Sequence, residues 1–75
     1  MNLVVVTWKD SKQPESGWCF LSEHEEPKPV FVLSVGWLAR ETEEALYLVP
    51  NIGDGGEQGC GGIVIARRQV VEVVE

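Results

Sequence analysis

The side chains able to do chemistry are few and badly spaced for it. His24 stands between Glu23 and Glu25 and is the chain's one imidazole. An imidazole beside carboxylates can titrate near neutrality and move protons. It lies, however, in residues 22–29 (SEHEEPKP), where Pro27 and Pro29 exclude a regular strand or long helix. The segment reads as a surface connection, and His24 as an exposed histidine. Cys19 and Cys60 show no CxxC spacing, and no HxxxH accompanies them. A zinc site needs four such ligands. Two reduced thiols are the expected state. Glu41, Glu43 and Glu44 crowd one short stretch, where water would screen them and leave their pKa values hard to match to a reaction. No Ser-His-Asp or Cys-His arrangement is present. The chain is therefore read as not an enzyme, with no cofactor and no metal.

Residues 51–62 hold six glycines, the composition of a phosphate-cradling loop. Neither Lys-Ser nor Lys-Thr follows them, and no helix follows to point its dipole at an anion. Asp54 and Glu57 would oppose a phosphate. A hairpin tip between two strands is the better reading, still able to serve as a contact surface.

Binding is better provided for. Three tryptophans and a scatter of arginines are the residue types that dominate protein interfaces. Trp18, Trp37, Arg40, Arg67 and Arg68 are the candidate binding residues. The competing reading makes the tryptophans core and the arginines solvated partners of nearby glutamates. Trp8 and Trp18 flank the first polar loop and could pack together beneath it.

Positioning these residues falls to strands. Residues 3–8 (LVVVTW) are β-branched and aromatic, apolar on both faces, so the strand is either central or covered by another subunit. Residues 9–17 form a polar turn or loop. Trp18-Cys19-Phe20-Leu21 is too short for periodicity to choose between strand and helical turn. Val30–Glu41 is a long strand with Gly36 near its middle, where a barrel strand bends to join both halves of its sheet. Its odd positions, Phe31, Leu33, Val35 and Trp37, form one apolar face, while its even positions are mixed. A tight acidic tip at residues 41–44 returns the chain into a strand over 45–50. Ile63–Ala66 and Val70–Val74 are the last two strands, with Arg67-Arg68-Gln69 suited to a single 3₁₀ turn.

One domain covers all 75 residues. So small a core buries only about 60% of its unfolded surface and often needs a disulfide, a metal or self-association. A net charge of −6 disfavours non-specific nucleic-acid binding and suits docking on a basic protein surface. The apolar run at the N-terminus lacks a basic flank and is too short to export the chain or span a membrane. A cytoplasmic location is expected.

A strand with a central glycine, an acidic tip and a return strand (LSVGWLARETEEALYLV, residues 33–49) precedes GGIVIARRQVVEV (residues 61–73). Together they resemble the two motifs of the Sm-like and SH3-like small β-barrels, over residues 32–73. The chain is also similar to short proteins of tailed phages and prophages, with an SVGWL-ET segment and a terminal isoleucine-basic-valine strand. The resemblance implies a mostly β, five-stranded small barrel with a bent long strand and a 3₁₀ corner before the last strand. It implies a self-associating phage protein that engages a host protein in the host cytoplasm, as an inhibitor of host defence or a takeover factor. A second expectation is an Sm-like ring that binds RNA or a small nucleotide through Arg67 and Arg68. The family's RNA pocket uses an Asn at the hairpin and a Gly at the corner. This chain has Glu43 and Glu44 at the first and no glycine at the second. A third is a structural component of the phage particle.

Overall fold

A computed structural model describes residues 1–11, 17–23 and 26–75. Its strands are β1 (Leu3–Asp10), β2 (Val30–Glu41), β3 (Ala45–Val49), β4 (Asn51–Gly53), β5 (Gln58–Cys60), β6 (Ile63–Ala66) and β7 (Val70–Val74). Five of them form one antiparallel sheet in the order β6-β3-β2-β1-β7, and β4 pairs with β5 as a separate two-stranded ladder. The chain is mostly β, as its β-branched runs require. Of the two settings its apolar faces suggest, central or covered by another subunit, β1 occupies an inner place in the sheet, between β2 and β7.

The closed barrel expected from the sequence is not formed. β6 and β7 are the two edges of an open sheet. The 3₁₀ turn at Arg67–Gln69 lies between them as expected, but it delivers β7 to the far side of β1. There Val70 and Val74 oppose Trp8 and Val5, while β6 stays on β3.

β2 changes partner along its length. Its residues from Val30 to Trp37 pair with β1, and those from Trp37 to Glu41 with β3. Gly36 sits beside this switch, the joining role its position suggests. The irregularity in the ladder falls farther on, between Leu38 and Arg40. What Gly36 supplies is room. A Cβ there would lie 3.1 Å from the Val49 carbonyl oxygen, so its bare backbone lets β3 approach.

The core lies on one side of the sheet, where Val4, Val6, Trp8, Leu46, Leu48 and Ile65 are buried with Val32, Leu38 and Val70 against them. Trp8 does not pack with Trp18. Its indole N–H instead donates to the Ser34 hydroxyl oxygen at 3.0 Å. The termini are joined by a hydrogen bond from the Asn2 amide nitrogen to Glu75 Oε1, 2.8 Å long. Among the described residues no helix is long and apolar enough to cross a membrane.

Candidate binding face

Cross-strand register decides which residues share a face, because directly opposed side chains point the same way. Val4, Val6 and Trp8 point into the core, so Leu3, Val5, Thr7 and Lys9 point out. Their β2 partners are Trp37, Val35, Leu33 and Phe31. The odd positions of β2, its more apolar face, are therefore outside. Phe31, Leu33 and Val35 are 62%, 70% and 60% exposed. Inside lie Val32, Ser34, Gly36 and Leu38, the mixed set. Two demands select it. The Trp8 indole needs a hydrogen-bond partner, which Ser34 supplies, and β3 needs the gap that Gly36 leaves.

Val74 of β7 extends this outer surface beside Val5, and Glu72 lies beside Thr7. The result is an apolar face across three strands, with Lys9 at one end and Glu72 at one side. The Lys9 ammonium stands 5.6 Å from the centre of the Phe31 ring, a cation–π contact. At the other end the face is covered. Val49, opposite Trp37, is buried beneath the β4–β5 hairpin, where a Cβ on Gly59 would come within 3.2 Å of Val49 Cγ1. A shallow depression of about 540 Å³ opens there, lined by Met1, Trp37, Pro50, Asn51, Ile52 and Gly56.

The candidate binding residues are dispersed. Trp37 is half-buried on the outer face and reaches the depression. Trp18 lies in the β1–β2 connection and is 105% exposed, so none of the described residues shields it. Phe20 and Leu21 beside it are exposed too, with Leu21–Glu23 forming a 3₁₀ turn. Arg40 is exposed near the end of β2. Arg67 is engaged within the fold. Its Nε donates to the Thr42 carbonyl oxygen at 2.6 Å, and its Nη2 pairs with Glu41 Oε2 at 2.7 Å. Its backbone N–H also donates to the Glu44 carbonyl oxygen at 2.9 Å. Arg67 thus clamps the β2–β3 tip, whose turn Thr42 organises by accepting the Glu44 and Ala45 N–H groups at 3.2 and 3.1 Å. Arg68, next along, is exposed.

Leu3, Val5, Phe31, Leu33 and Val35 join the candidate binding residues on the strength of the fold alone. Their signal in the sequence is the apolarity of both faces of β1 combined with the polar Ser34 on the opposite face of β2. Cys19 and Cys60 are exposed, free thiols. Among the described residues no group of three or more His, Cys, Asp or Glu side chains is placed to hold a metal. His24 lies outside the described residues.

Comparison with protein-family models, curated proteins and solved structures gave no match.

Proposed function

We propose that the chain is a non-catalytic, self-associating binding protein whose working surface is the outer face of β1 and β2. The observation that carries this reading is the row Phe31, Leu33 and Val35, left open to water beside Leu3 and Val5. Contiguous exposed apolar surface of this kind marks an interaction site on a small protein. The order β6-β3-β2-β1-β7, the shared strand β2 and the 3₁₀ corner before β7 support an open version of the Sm-like or SH3-like small barrel. The acidic remainder, at net charge −6, suits a basic partner protein. In a phage setting, which rests on the sequence resemblance alone, that partner is a host protein.

The RNA or nucleotide reading has less support, since Arg67 is committed to Glu41 and Thr42.

Sedimentation equilibrium over a micromolar series tests the self-association. A concentration-dependent mass is expected, and a strict monomer overturns the claim. Affinity capture from host lysate tests the partner: a specific basic protein should be retained at low salt and released as ionic strength rises. Recovery of no specific protein, or recovery indifferent to salt, overturns the acidic docking.

A further inference from the structure

We propose that the segment Trp18–Leu21 of one copy seats on the β1–β2 outer face of a second copy, each copy giving its segment to the other. This deepens the self-association proposed above and rests on it.

The first argument is area. The chain exposes 6326 Å², whereas a compact monomer of its 8.3 kDa exposes about 4,600 Å². Its radius of gyration is 16.2 Å against roughly 11 Å for a compact domain of this length, and its extents are 54 × 23 × 18 Å. The surplus, on the order of 1,700 Å² per copy, exceeds the ~800 Å² per partner that a stable interface needs.

The second argument is chemistry. One chain carries two uncovered apolar surfaces of matching kind. The segment presents Trp18, Phe20 and Leu21, and the sheet presents Leu33, Val35 and Val5. An aromatic side chain over a flat β-branched surface is a common interface anchor. Contact between Leu33 and Trp18 would remove from water the two most exposed large residues of their respective surfaces.

The third argument is charge. At −6 per copy, two chains repel each other on most approaches. The outer face is the exception, where Lys9, opposite Phe31, balances the charge of Glu72, opposite Thr7. Glu23 and Glu26 follow Leu21 along the chain and would meet the partner's Lys9 end of the face. Within its own chain the segment makes no such contact, since Trp18, Phe20 and Leu21 are 105%, 76% and 89% exposed.

The test has two arms. In sedimentation equilibrium, Trp18→Ala/Leu21→Ala should raise the dimer dissociation constant at least ~30-fold, the loss of one strong anchor. At concentrations where both are monomeric its urea midpoint should match the wild type, because Trp18 and Leu21 are 105% and 89% exposed in the single chain. A monomeric wild type overturns both this proposal and the self-association beneath it. A wild-type dimer that the double substitution leaves equally tight overturns the exchange alone. In the second arm, Cys60→Ser/Leu33→Cys is oxidised and its disulfide mapped by peptide mass spectrometry. A bond between copies from Cys19 to position 33 is expected. The same bond within a monomer, or no such bond at all, overturns the exchange.

Discussion

The indole N–H of Trp8 and the hydroxyl oxygen of Ser34 meet at 3.0 Å across the inner side of the β1–β2 ladder. Trp8 is buried, so its one donor must be satisfied there or not at all. Ser34→Ala leaves that donor unpaired and should cost about 1–2 kcal/mol. Trp8→Phe removes the donor but opens a gap, and should cost about 2–3 kcal/mol. Urea unfolding of the two variants, read by circular dichroism, should rank them in that order.

Gly36 and Gly62 differ in what a methyl group would strike. At Gly36 the obstacle is the Val49 carbonyl, 3.1 Å away and fixed by pairing with β2. At Gly62 it is the Tyr47 ring, closer still but at the far end of a half-exposed side chain. Gly36→Ala should destabilise by about 1–3 kcal/mol, the cost of overpacking against something that cannot turn aside. Gly62→Ala should cost less, with the ring rotated outward. A thermal-denaturation midpoint lower for Gly62→Ala than for Gly36→Ala would contradict this.

Arg67 and Glu41 are 43% and 56% exposed, so their ion pair is screened and contributes little by itself. The bond from Nε to the Thr42 carbonyl adds geometry that lysine lacks. Arg67→Ala should destabilise by about 1 kcal/mol. Arg67→Lys should recover less than half of that. Amide exchange should quicken chiefly at Glu44 and Ala45, whose N–H groups depend on the tip held by Thr42.

Leu33 lies opposite Thr7 and makes no part of the core. At concentrations where both are monomeric, Leu33→Asp should leave the unfolding free energy within about 0.5 kcal/mol of the wild type, as an exposed substitution does. It should abolish self-association in sedimentation. A loss of folding would place Leu33 in the core instead.

Much of the sheet is legible from residues in order. The bounds of β2 follow from its β-branched run and the acidic turn after it, and the 3₁₀ corner from Arg67-Arg68-Gln69. The inner face of β2 is not legible this way. Counting apolar residues favours Phe31, Leu33 and Val35, but the choice is made by Trp8 and Val49, which lie elsewhere in the chain. Closure is equally hidden, because alternation along a strand carries no information about whether distant edges meet. Residues 51–62 read as a bare hairpin tip, yet they hold a short ladder of their own, β4 with β5. Their glycines conceal it by offering no side-chain pattern. Of the candidate residues, the exposure of Trp18 and the internal engagement of Arg67 both depend on distant parts of the fold.

The handover of β2 from β1 to β3 at Trp37 has a mechanical consequence. The two ladders share only that residue, yet their side chains meet in one core, where Leu46, Leu48 and Ile65 pack with Val4, Val6 and Trp8. Slow-exchanging amides should therefore decay together on both sides of Trp37, as one cooperative unit rather than two.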